Sequence, residues 1–232
     1  MTRDPGVHAA AAHALELIRD GAKVGLGTGR AAAAFIAQLG ERVRQGLRVV
    51  AVATSSVSAR QARGLGIPLV DLGEELELDV IVDGADEVAP NLDLLKGRGG
   101  ALVGEHIVTS ASRRQIILVG PEKRVQGLGE RGGIPVEVTP LARGPVTRHV
   151  RALGLTPTLR LEAGGSSPFH SDNGNLTLDC APAAPLRDPA ALRRLEVALR
   201  AIHGVVDTGL FLGTAERVLV GHPDGRVEVL VR

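Results

Sequence analysis

Short apolar runs alternate with stretches of helical periodicity along much of this chain, and that alternation restricts the fold more than any other feature. Lys23 to Leu26, Arg48 to Ala53, Ile67 to Asp71, Asp79 to Val82 and Gln115 to Val119 read as strands. Between them, apolar residues recur at helical spacing from Pro5 to Asp20 and from Ala31 to Arg44. A further helical stretch opens at the polar turn Thr54, Ser55 and Ser56, and another spans Ala101 to Ser112. Strands apolar throughout their length and separated by helices imply an α/β fold whose parallel sheet is covered on both faces.

The texture changes from about Gly132. Ile134 to Val138, Thr158 to Leu161 and Leu176 to Cys180 look like strands, with helices expected at Pro145 to Leu153 and Asp188 to Ala201. This stretch, 132–203, reads as a small α+β domain. After it the glycine-rich turns and short strands Gly204 to Phe211, Arg217 to Gly221 and Arg226 to Val231 suggest a return to the first domain. The expected division is therefore 1–131 with 204–232, and 132–203 between them.

Bulk composition excludes several classes. The 27 basic side chains are offset by 26 acidic ones for a net charge of +1, so nucleic acid held by counterion release is not expected. With no Trp, no Tyr and three Phe, there is no stacking platform for single strands. No run approaches the roughly 18 uninterrupted apolar residues of a membrane span. A lone Cys180 forms no internal disulfide and no cationic, apolar leader precedes the first helix, so a reducing cytoplasm is the expected location.

Two constellations carry chemistry. Gly25-Leu26-Gly27-Thr28-Gly29-Arg30 stands where a strand gives way to a helix, a place whose free amides suit a phosphate. It is not the dinucleotide fingerprint, because Arg30 and Thr54 stand where that pattern wants a glycine and an acid. A plain tight turn is the alternative. The second is Asp83-Gly84-Ala85-Asp86-Glu87, then Lys96-Gly97-Arg98-Gly99-Gly100, then Glu105. Asp83 ends an apolar strand, at the edge where open α/β sheets bind ligands. Three carboxylates and one ammonium suit a small polyol. Glu87, Asp93 and Arg98 read instead as an ordinary solvated charge face. A hard cation is the rival occupant for Asp83 and Asp86, yet no histidine stands beside them, and the sequence lacks His-Glu-x-x-His, Cys-x-x-Cys and Gly-x-Ser-x-Gly patterns.

These residues, with Pro135-Val136-Glu137-Val138, Ser171-Asp172-Asn173-Gly174-Asn175 and the run Gly204 to Phe211, resemble the ribose-5-phosphate isomerases of the A type over nearly the whole chain. The resemblance implies a Rossmann-like catalytic domain with a small inserted ferredoxin-like domain, a homodimer or homotetramer, a sugar-phosphate substrate, and no metal or organic cofactor. It implies interconversion of D-ribose 5-phosphate and D-ribulose 5-phosphate through a 1,2-enediolate, in the non-oxidative pentose phosphate pathway. By the same resemblance Glu105 is the base, and Asp83, Asp86 and Lys96 open the ring and bind hydroxyls. Lys96 and the amides of Gly97, Arg98, Gly99 and Gly100 would steady the enediolate; Thr28, Gly29 and Arg30 would hold the phosphate or adjacent hydroxyls; and Lys123 would be a further basic contact.

The chain departs from the family where Arg30 and Ala31 replace a Ser-Thr pair, where Val7 and His8 replace an N-terminal Lys, and at His106 and Gly120-Pro121. Arg30 suits phosphate geometry and would supply the missing charge; a side chain that simply points to solvent is the alternative. A non-catalytic sugar-phosphate sensor of related fold and a metal-dependent sugar-phosphate enzyme are the competing readings.

Overall fold

The computed structural model describes residues 4–74 and 76–232; residues 1–3 and 75, within the first expected domain, lie outside the described residues. In chain order the elements begin α1 (Pro5–Glu16), β1 (Ala22–Leu26), α2 (Arg30–Arg44), β2 (Val49–Ala53), α3 (Ser56–Gly64) and β3 (Val80–Gly84). There follow β4 (Glu87–Val88), β5 (Leu94–Leu95), α4 (Leu102–Ser110), β6 (Gln115–Val119), β7 (Ile134–Val138), α5 (Arg143–Ala152) and β8 (Leu155–Leu159). The remaining elements are β9 (Leu176–Pro182), α6 (Pro189–Arg200), β10 (Val205–Thr208), β11 (Leu210–Phe211), β12 (Arg217–Gly221) and β13 (Val227–Val231).

The chain forms two compact units, the first built from Met1–Ala85, Gly104–Lys123 and Gly213–Arg232. Its six-stranded sheet has the order β13-β12-β6-β3-β1-β2. Every pairing in it is parallel except that of β13 with β12. Successive side chains of a strand point to opposite faces, and β3 shows both being filled. Val80 and Val82 join Phe35, Ile36 and Leu39 of α2 and Ala10, Ala11 and Ala14 of α1 in one core, while Ile81 packs with Val52 and Val108 in another. Asp4 caps α1, accepting from the amides of Gly6 and Val7, and Pro5 pre-sets the first turn. The helix stops at Glu16 rather than Asp20, because Leu17 and Ile18 donate to Ala14 and Leu15 in a tightened last turn. The strand expected at Ile67 to Asp71 shrinks to a single bridge between Leu69 and Ala51. Pro68 supplies a carbonyl to it but has no N–H to extend it.

The second unit comprises Asp86–Val103 and Arg124–Leu212, and so extends beyond the expected 132–203 on both sides. Strand pairing explains the extension. Gly204 to Phe211, expected to rejoin the first domain, instead supplies β10, which pairs with β7, and β11, which pairs with β5. The result is a four-stranded antiparallel sheet in the order β10-β7-β9-β8 and a three-stranded sheet in the order β11-β5-β4. Val146 and Val150 of α5 and Leu192 and Leu199 of α6 pack with Val136, Leu178 and Cys180 in its core. β8 starts at Leu155, earlier than the expected Thr158, and tolerates Pro157 because it is an edge strand.

Cys180 is fully buried in β9, and burial first, then the charge of Asp179, pushes its thiol up to about 12. The thiolate is the reactive form. At pH 8 the native protein is therefore expected to stay inert to Ellman's reagent and to release one equivalent only on unfolding; rapid reaction of the folded protein would contradict the burial. Among the described residues no helix is long and apolar enough to cross a membrane.

Candidate functional site

In the first unit the strand order reverses at β1, whose neighbours are β2 on one side and β3 on the other. In open parallel sheets the crevice beyond the carboxyl ends of the strands at such a point is where ligands bind. Thr28, Gly29 and Arg30 leave the carboxyl end of β1, Asp83 lies near that of β3, and Lys123 closes a short 3-10 turn after β6. All five therefore share one edge of the sheet.

Asp83 is fully buried, and its Oδ1 accepts hydrogen bonds from the Gly84 amide at 2.7 Å and the Thr28 amide at 3.0 Å. The β1 loop rests directly on this carboxylate: a Cβ at Gly27 would lie 2.1 Å from Oδ1, so only glycine fits. Gly29 adopts φ +99°, a left-handed conformation that glycine tolerates, and starts α2 without a capping side chain. The N-cap position thus supplies no side-chain acceptor to the first-turn amides of α2, an arrangement suited to an anion. Arg30 extends into solvent beside them.

A hydroxyl cluster that the sequence showed only as a polar turn holds Thr28. The Thr28 hydroxyl donates to Ser55 Oγ at 2.7 Å and lies 2.8 Å from Thr54 Oγ1. Ser58 in turn donates to the Gly27 carbonyl at 2.6 Å. The parallel pairing of β1 with β2 brings the two loops together. Glu105 belongs to the first turn of α4 and is 4% exposed. A carboxylate there is favoured by the helix dipole.

The second unit holds the other candidates. The Asp86 amide donates to the Leu95 carbonyl at 2.8 Å, and its Oδ2 accepts from the Arg98 amide at 3.0 Å. Lys96 follows β5 and is 2% exposed. Its amide donates to the Gly209 carbonyl at 2.9 Å, and its ammonium stands 5.4 Å from the centroid of the Phe211 ring.

The expected solvated charge face does not form. Glu87 is fully buried on β4, where Oε2 accepts from the amides of Gly129 and Glu130 and Oε1 from the Arg131 amide and the Arg98 guanidinium. Asp93 is also fully buried, accepting from the Asn91 side chain at 2.8 Å. Only Arg98 keeps substantial exposure. Buried charges persist when hydrogen bonds replace water, and these carboxylates fasten loops. Glu137 does the same, gathering Ser171, Asn173 and Asn175 around Oε1.

Residues 50–225 match the family described as ribose 5-phosphate isomerase A (phosphoriboisomerase A), a span that leaves out the Thr28 loop. Ribose-5-phosphate isomerase A of Gloeobacter violaceus is 47% identical over 222 residues, covering 95% of this chain and 94% of the relative. The solved ribose 5-phosphate isomerase A of Methanocaldococcus jannaschii superposes with a TM-score of 0.90 at 38% identity, over 99% of each chain. A D-ribose-5-phosphate isomerase in complex with phospho-erythronic acid gives 0.93 at 36% identity, over the whole of both chains. This chain belongs to the ribose 5-phosphate isomerase A family.

Proposed function

We propose that this protein interconverts D-ribose 5-phosphate and D-ribulose 5-phosphate, a step of the non-oxidative pentose phosphate pathway, with Glu105 as the base. The observation that carries the reading is the buried Asp83 carboxylate at the sheet's switch point, beneath a β1 loop that leads into an uncapped helix. Family membership supplies the substrate, and a relative's complex with a phosphorylated sugar acid agrees with it.

The proposed chemistry begins with opening of the furanose, in which a proton leaves the C1 hydroxyl and one reaches the ring oxygen. Asp83, Asp86 and Lys96 serve this step and bind hydroxyls. Glu105 then takes the proton from C2 and returns it to C1, while the O2 proton is transferred to O1. The bonding changes balance without any external oxidant or reductant. Negative charge develops on the enediolate oxygens, where the Lys96 ammonium and the amides of Gly97 and Gly99 act as donors, while those of Arg98 and Gly100 donate to Asp86 Oδ2 and the Gly97 carbonyl and keep the loop in shape. The phosphate lies at the α2 amides with Arg30, Thr28 and Gly29 beside it, and Lys123 adds a second cation.

Purified protein is expected to convert ribose 5-phosphate equally well with and without EDTA. Loss of activity on chelation would favour a metal-dependent enzyme. Tight binding of the sugar phosphate with no conversion would favour a sensor. The proposed homodimer or homotetramer is read from mass in solution, and the proposed cytoplasmic location from fractionation.

A further inference from the structure

Arg160, which no motif singled out, grips the glycine loop that follows Lys96. Its Nη1 donates to the carbonyls of Gly97 at 2.7 Å and Arg98 at 3.1 Å. The same guanidinium is held from its other edge by Asp179, with Nε 3.0 Å from Oδ2 and Nη2 bonded to Oδ1. Its Cζ stands over the Phe169 ring, 5.8 Å from the centroid. That ring closes the arrangement, because Phe169 packs on Gly100, where a Cβ would lie 2.3 Å from Phe169 Cζ. The Arg160 side chain is 13% exposed.

Planar peptides turn these bonds into orientation. A trans peptide points its C=O and N–H in opposite directions. With the Gly97 carbonyl on Arg160, the Arg98 amide faces the other way, where it donates to Asp86 Oδ2. With the Arg98 carbonyl on Arg160 as well, the Gly99 amide also turns away from the guanidinium. Gly97 and Gly100 have φ of +100° and +77°, a region glycine enters about as readily as negative φ, so the loop's glycines leave the orientation of its peptides to the contacts around them.

We propose that Arg160 is a positioning residue for the isomerisation: clamped by Asp179 and Phe169, it sets the Gly97–Gly100 peptides so that the Asp86 carboxylate is held and the Gly99 amide is presented to the enediolate. This rests on the isomerase reading. Lysine in place of arginine keeps the charge but loses the fork that reaches two carbonyls and a carboxylate together.

Arg160→Lys is expected to lower kcat by about 100-fold, the scale of a misplaced catalytic constellation, with KM changed far less. Hydrogen exchange at the Arg98 and Gly99 amides, which needs no turnover, is expected to quicken by at least about tenfold while the rest of the unit keeps its protection. Asp179→Asn should act in the same direction more weakly, and carries the test if the lysine variant does not fold. Unchanged loop exchange, or wild-type kcat with only a lowered melting temperature, overturns the proposal. Wild-type protein that shows no turnover, in a background where loop exchange still responds to Arg160→Lys, would count against the isomerase reading and leave the clamp standing.

Discussion

Glu105→Gln is expected to lower kcat by about 100-fold or more, the usual contribution of a positioned general base, with little change in melting temperature. The side chain is 4% exposed in the first turn of α4, and glutamine has nearly the same volume, so packing is conserved. What the amide lacks is a basic oxygen able to take the C2 proton. A second measurement separates loss of the base from loss of binding. In deuterated water the wild type should incorporate solvent deuterium during isomerisation, and the variant should lose exchange and turnover together while KM stays close to that of the wild type. Turnover undiminished in the variant would remove Glu105 from the role of base.

The reach of the sequence depended on how local each signal was. β6 and β12 were legible to the residue, because each is an apolar run fixed by its own composition. Asp83 was legible for a related reason: an acid that ends a buried parallel strand has a place that the strand itself dictates. The two-residue strands β4 and β5 are too short to show any period. The second partner of β5, β11, comes from a segment more than a hundred positions away, so the pairing that draws Gly204 to Phe211 into the second unit left no local trace. Arg160 escaped notice on the same ground, since the carbonyls it holds lie 62 and 63 positions from it. The hydroxyls of Thr54 and Ser55 stood in plain view in the polar turn Thr54, Ser55 and Ser56, with Ser58 just beyond it. Their contact with Thr28 follows only once β2 is known to lie beside β1.

Glu87 shows what such distance costs, and its substitution is the strongest test of the second unit's construction. Within the segment it looks like one more member of a charge run, but its amide donors at Gly129, Glu130 and Arg131 are 42 to 44 positions away. Both carboxylate oxygens are engaged on this fully buried side chain. Glu87→Gln replaces one acceptor with an NH2 group that must face N–H donors in either orientation, so at least one donor loses its partner inside the protein. Hydrogen bonds to a charged acceptor and the penalty for an orphaned buried group together suggest a loss of about 3 kcal/mol. The denaturant midpoint should fall accordingly, read on the transition that includes the Arg124–Leu212 segment. Arg98→Ala is the control. Its guanidinium is 37% exposed and supplies only one of the contacts to Glu87, so its removal should cost under about 1 kcal/mol. Equal effects of the two substitutions would mean that the ion pair, rather than the three amides, holds Glu87 in place. An unchanged midpoint for Glu87→Gln would show that the loop at 129–131 does not depend on the carboxylate for its fold.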